Sequence, residues 1–151
     1  MADSFFKLQN VSFSYGTKEV LRDISISLQK GKFYGLLGPN GSGKTTLLDM
    51  LIANRFPAQG NIHFNGQPLA DFSRRDLARQ LSLVPQDFII GFDYTVLDVV
   101  LMGRHPYIPR FGSPSAEDLA IARQVMGVIG IADFENRYVT ELSGGEKQRV
   151  V

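Results

Sequence analysis

The chain has 151 residues, 16 Lys plus Arg against 15 Asp plus Glu for a net charge of +1, and no cysteine. That length suits one domain, the charge balance gives no support for a nucleic-acid partner, and a disulfide framework or a thiolate metal site is excluded. No stretch approaches the roughly 18 consecutive apolar residues of a membrane span, and Met1-Ala2-Asp3-Ser4 lacks the basic segment of a secretory signal, so the chain reads as cytosolic, with any membrane attachment made through partners.

In chain order, residues 5–28 read as antiparallel strands: Val11, Phe13 and Tyr15 alternate with Ser12 and Ser14, and Ile24, Ile26 and Leu28 alternate with Asp23, Ser25, Ser27 and Gln29, with Gly16-Thr17-Lys18 as the turn. Lys32 to Leu37 is a short apolar run fit for a buried strand, and Thr45 to Ala53 is rich in helix formers. Between them lies Gly38-Pro39-Asn40-Gly41-Ser42-Gly43-Lys44-Thr45, followed by Thr46. Glycines reach positive φ and carry no Cβ to block close approach, so a loop of this kind turns successive N–H groups into one concavity around phosphates. Lys44 is placed to reach the β- and γ-phosphates, the Thr45 hydroxyl to coordinate Mg²⁺, and a helix starting at about Gly43 to aim its positive end at the same anion. Strand, glycine loop and helix come in the order that such a site requires, so the chain is expected to handle a nucleoside triphosphate.

Further on, Asn61–Phe64 reads as a strand and Asn65-Gly66 as a hairpin turn. Ser73, with Asp76 three residues on, is placed to cap a helix over Arg74–Gln80, and Leu81–Pro85 reads as a strand leading into Gln86. From Asp87 to Ser113 the character changes: Thr95–Met102 is a short apolar helix, and Gly103–Gly112 a loop rich in aromatics and arginine. Phe88, Phe92, Tyr94 and Met102 are candidates either for a core or, if exposed, for a docking patch. Ser115, with Asp118 three residues on, caps a helix through about Ile129. Ser143, with Glu146 three residues on, opens another through Lys147 and Gln148, where the N–H groups of Ser143, Gly144 and Gly145 form a second candidate anion site. His63 and His105 have no second ligand at metal spacing and read as structural.

Leu142-Ser143-Gly144-Gly145-Glu146, followed by Lys147-Gln148-Arg149, resembles the signature motif of ABC-type ATPases, and the loop at 38–45 is the companion motif of that family. Tyr15 resembles the family's adenine-stacking aromatic, and Gln86, in Leu83-Val84-Pro85-Gln86-Asp87, the glutamine of its Q-loop. The resemblance runs from about Phe5 to the last residue. It implies an α/β P-loop NTPase core with an N-terminal antiparallel β subdomain, about residues 1–86, and a helical signature subdomain, about residues 87–151. It implies ATP and Mg²⁺ as cofactors, with Pro39, Asn40 and Thr46 lining the nucleotide, Lys44 and Gln86 serving hydrolysis, and Thr45 and Gln86 meeting the metal.

The signature would close over the γ-phosphate held by a second copy of the chain, giving a homodimer around two nucleotides. The region next to the Q-loop would dock a membrane permease on the inner face of the cell membrane, served by a substrate-binding protein. Met102-Gly103-Arg104-His105-Pro106 resembles the importers of ferric siderophores, haem, cobalamin and molybdate-type oxyanions. A soluble ABC-type ATPase acting on DNA or ribosomes fits the neutral charge and the absence of coiled-coil heptads less well. The chain stops before the strand in which this family carries its Walker B aspartate and catalytic glutamate, and before the switch histidine. It is therefore expected to be a fragment that holds nucleotide weakly without sustained turnover, and an inactive nucleotide-binding role is the remaining alternative.

Overall fold

In the computed structural model, which describes residues 4–86 and 91–151, the N-terminal segments pair as β1 (Ser4–Tyr15) and β2 (Lys18–Gln29). β3 (Gln59–Phe64) and the short β4 (Gln67–Pro68) complete an antiparallel sheet in the order β2-β1-β3-β4. Buried positions along β1 fall first on Phe6 and Leu8 and then on Val11, a change from even to odd. The register with β2 and β3 shifts at that place, where Asn10 takes a positive φ of 52° and donates from Nδ2 to Asp23 Oδ1 at 2.7 Å. One extra residue in a strand moves every later side chain to the opposite face. The Asn65-Gly66 turn joins β3 to β4 with both residues at positive φ, as a tight hairpin demands.

The sheet's apolar face carries Phe6, Leu8, Val11, Leu21, Ile62 and Phe64. The rings of Phe5, Phe6, Phe64 and Phe72 meet at centroid distances of 4.9 to 5.5 Å. Helix α1 (Lys44–Leu51) adds the fully buried Met50 to this cluster, and Leu77 of α2 (Arg74–Ala78) joins it. Burial of each such side chain stabilises by about 1.5–3 kcal/mol. Ser73 caps α2 as its spacing predicts, accepting from Asp76 N at 3.1 Å.

Two expected strands are absent. Residues 32–37 and 81–85 carry no strand assignment, and Phe33 and Leu37 are 99 % and 93 % exposed. Apolarity makes a segment fit for a sheet, but a strand exists only in a ladder, and neither segment finds a ladder partner among the described residues. α1 also ends at Leu51, and Ala53 has a positive φ of 57°.

Contacts divide the chain into two compact units that part between Ser82 and Leu83. The second contains α3 (Val96–Met102), α4 (Ala116–Ile129) and α5 (Gly144–Val150), packed around Val96, Met126, Ile131, Val139, Leu142 and Val150. These helices share one start: Thr95 with Asp98, Ser115 with Asp118 and Ser143 with Glu146 each form a reciprocal capping box. Phe92 is 74 % exposed, and Tyr94 and Met102 are also exposed, so these three do not fill that core; Phe88 lies outside the described residues. A bridge from Thr95 to Tyr138 and the ion pair of Arg123 with Glu135, whose Oε1 accepts from Nη2 at 2.8 Å and from Nε at 3.0 Å, tie the segment after α4 back onto the helices.

Candidate functional site

Helix α1 begins differently from the other described α-helices. Its N-cap is Gly43, at φ 88° and ψ 7°, with no side-chain cap and no acidic residue in the first turn, whereas α2 to α5 each open on Ser or Thr with an acid three residues on. The first-turn amides of a helix lack internal acceptors and carry the positive end of its dipole, so α1 keeps a bare N-terminus, whereas in each of α2 to α5 the Ser or Thr hydroxyl accepts from the amide of the acidic residue three positions on. Gly41 and Gly43 stand at φ 80° and 88°. At Gly43 a Cβ would lie 2.8 Å from Leu21 Cδ2 and 3.0 Å from the Val20 carbonyl oxygen, so the loop can pass β2 there only as glycine.

Lys44 folds its ammonium back over the loop, where Nζ donates to the carbonyls of Gly38 and Pro39, both at 2.8 Å. The Ser42 amide donates to the Pro39 carbonyl at 3.3 Å and closes the turn. Thr45 is exposed beside Lys44, while Thr46 is buried under the helix, and Gly38, Pro39, Asn40, Gly41 and Ser42 all lie at the surface. The loop thus gathers a lysine, exposed hydroxyls and backbone donors in one place, the equipment for a polyanion with a bound cation.

Tyr15, at the end of β1, is 45 % exposed. Its ring and that of Phe13 meet at a centroid distance of 4.9 Å in a T-shaped contact, and the Arg55 guanidinium lies 4.9 Å from its ring centroid. Arg55 is the residue that sequence reasoning missed. It lies forty positions from Tyr15, and no local pattern marks the contact.

Gln86 and Ser143–Gly145 stand in the second unit. Gln86 is exposed, immediately before the undescribed residues 87–90. Ser143 accepts from Glu146 N at 3.4 Å, and the Glu146 carboxylate accepts from Ser143 N at 2.8 Å and from its hydroxyl at 2.6 Å. These bonds from Ser143, helped by Arg137 and Arg149, hold the Glu146 carboxyl below its usual range. Gly144 and Gly145 follow in the first turn and are exposed residues. His105 is exposed, and His63 Nδ1 is buried without a hydrogen-bond partner beside a cavity of about 480 Å³ lined also by Lys7 and Lys30. Among the described residues no three His, Cys, Asp or Glu side chains gather as a metal site, and no helix is long and apolar enough to cross a membrane.

A glycine loop that delivers a lysine and a hydroxyl to the bare N-terminus of a helix defines a P-loop nucleotide-binding fold. Residues 21–151 match the family model described as ABC transporter, and the chain belongs to that family. It is 38 % identical over 145 residues to an uncharacterized ABC transporter ATP-binding protein, YvrA, of Bacillus subtilis, covering 95 % of this chain and 33 % of that protein. It is 40 % identical over 136 residues to the cobalamin import ATP-binding protein BtuD of Halobacterium salinarum, covering 90 % of this chain and 33 % of that one. Among solved structures, a transporter assigned to the metal-chelate type, in an inward-facing conformation, superposes with a TM-score of 0.81 at 32 % identity over 98 % of this chain and 53 % of its own. The chain thus spans about a third of the length of those two relatives and about half of that solved chain.

Proposed function

We propose that this chain is the nucleotide-binding part of an ATPase subunit that powers import of a metal chelate through a membrane permease. The observation that carries the reading is the loop itself: Gly41 and Gly43 in left-handed conformations, Lys44 drawn over the loop, and α1 without a capping carboxylate. On this reading Lys44 exchanges the carbonyls of Gly38 and Pro39 for the β- and γ-phosphate oxygens of ATP. Residues 38–46 wrap the phosphates with their amides. Thr45 and Gln86 would hold Mg²⁺, whose chemistry is to neutralise charge on the phosphate oxygens. Tyr15 offers adenine a flat face, and base–aromatic stacking contributes about 1–3 kcal/mol in other settings.

Ser143, Gly144 and Gly145 would meet the γ-phosphate held by a second copy of the chain, so that ATP closes a homodimer. The exposed Phe92, Tyr94 and Met102 fit a docking surface for the permease, with the complex at the inner face of the membrane and a substrate-binding protein supplying the cargo. A metal chelate as cargo is supported by the stretch Met102–Pro106 and by the relatives that carry cobalamin import or the metal-chelate type in their descriptions.

The test is the affinity for MgATP of the intact protein and of its Lys44→Ala variant. The Lys44 ammonium bonds two carbonyls of its own exposed loop, so the variant should keep its fold by circular dichroism. Two lost charge-assisted hydrogen bonds to phosphate correspond to a loss in affinity of at least about tenfold. Equal affinity in the two proteins would sink the reading.

A further inference from the structure

Arg55 lies outside the glycine loop, yet its place is set from several sides. Past the end of α1 the chain turns through Ala53 at positive φ, and the amides of Asn54 and Arg55 donate to the Asp49 carbonyl at 2.8 and 3.3 Å. The Ala58 amide then donates to the Ser12 carbonyl of β1 at 2.9 Å. The turn is thereby fastened at both ends and carries Arg55 to the tip of β1. Arg55 Nε approaches Asp49 Oδ2 at 3.3 Å, and the guanidinium stands over the Tyr15 ring at 4.9 Å.

We infer that Arg55 is a positioning residue for the base. It backs one face of Tyr15 and leaves the opposite face to a purine, while Asp49 ties the arginine, and through it the ring, to the phosphate-binding helix. A cation on one face of an aromatic ring interacts favourably with its negative quadrupole. The same cation reduces the repulsion that the ring's other face presents to the electron-rich face of a stacked base. The T-shaped contact with Phe13 and Arg55 over the ring together restrict the ring's orientation, which lowers the ordering cost of stacking. A surface brace between Asp49 and Arg55 would by itself add little, and its loss would not depend on whether the ligand has a base. This inference rests on the reading of Tyr15 as the adenine platform.

Titration of the intact protein with MgADP and with magnesium pyrophosphate, by calorimetry, separates the two. Arg55 is a surface residue, its side chain 41 % exposed, so Arg55→Ala should fold. The variant should bind ADP about two- to fivefold more weakly and pyrophosphate as the parent does. In a Tyr15→Leu background the same substitution should cost nothing further. If Arg55→Ala weakens both ligands alike, or neither, or costs as much in the absence of Tyr15, the role in base positioning is overturned while the platform reading survives. If Tyr15→Leu itself leaves ADP binding unchanged relative to pyrophosphate, the platform reading falls and the role of Arg55 falls with it.

Discussion

Gly43 and Gly127 use one residue type for opposite reasons. At Gly43 the φ of +88°, with Leu21 Cδ2 only 2.8 Å from where a Cβ would stand, leaves no room for a side chain. Gly43→Ala should therefore cost about 2–3 kcal/mol of stability in urea unfolding and abolish nucleotide binding. Gly127 sits inside α4 with nothing within 4 Å of the same hypothetical atom and no positive φ, so Gly127→Ala should stabilise the chain by about 0.5–1 kcal/mol. A neutral Gly43→Ala would mean that the loop is free to take another path. The left-handed angles at Gly41 and Gly43 were legible from sequence because their constraint is local: glycine is the residue type that takes these angles freely. The contact of Arg55 with Tyr15 was not, because it depends on how a turn after α1 meets the end of another element.

The helix starts obey a short grammar. Ser73, Ser115 and Ser143, each followed three residues on by Asp or Glu, were legible and all form caps; Thr95 with Asp98 follows the same grammar and was passed over. Strands 32–37 and 81–85 were over-read because strand formation requires a neighbour that the residues of the strand do not encode. Among the caps, that of α4 has a consequence for pH. One Asp118 oxygen accepts from the Ser115 hydroxyl and amide at 2.7 and 3.0 Å, and the other from Arg104 Nε at 2.9 Å. The bonds from Ser115, then the guanidinium, hold this carboxyl below its usual range. A carboxyl whose native value is depressed contributes stability that is complete above its ordinary range and is lost as the pH falls through the lowered native value. The stability difference between the parent and Asp118→Asn, read from urea midpoints, should be constant from about pH 6 upward and narrow below about pH 4. A difference that is flat down to the acid limit would contradict the role given to these bonds.

At the level of the whole chain, a net charge of +1 gives molecules little mutual repulsion. Phe33 and Leu37 are almost wholly exposed on a segment without a ladder partner among the described residues. Exposed apolar side chains on unpaired backbone favour self-association. The chain should therefore scatter light increasingly with concentration, and the double substitution Phe33→Ser with Leu37→Ser should reduce that scattering without lowering the unfolding midpoint. Unchanged scattering would place the sticky surface elsewhere. Family membership was legible at this scale because the two motifs, one hundred residues apart, are each specific in themselves. The parting of the chain between Ser82 and Leu83 falls close to the compositional change read after Gln86, but its position is set by contacts rather than by any residue at the seam.

On the reading proposed above, helix α1 also acts as a gauge. Lys44 stands at its first residue, and the turn bearing Arg55 follows its last, in a helix eight residues long. At about 1.5 Å per residue that is a rod of about 12 Å, fixed at one end to the phosphate loop and at the other, through Asp49 and Arg55, to the aromatic ring at the tip of β1. A ligand that satisfies both ends is selected by its length as well as by its groups. One residue inserted into α1 would swing the far end by about 100° and advance it by about 1.5 Å, so that either end could still hold its own part of a nucleotide while no single nucleotide could reach both.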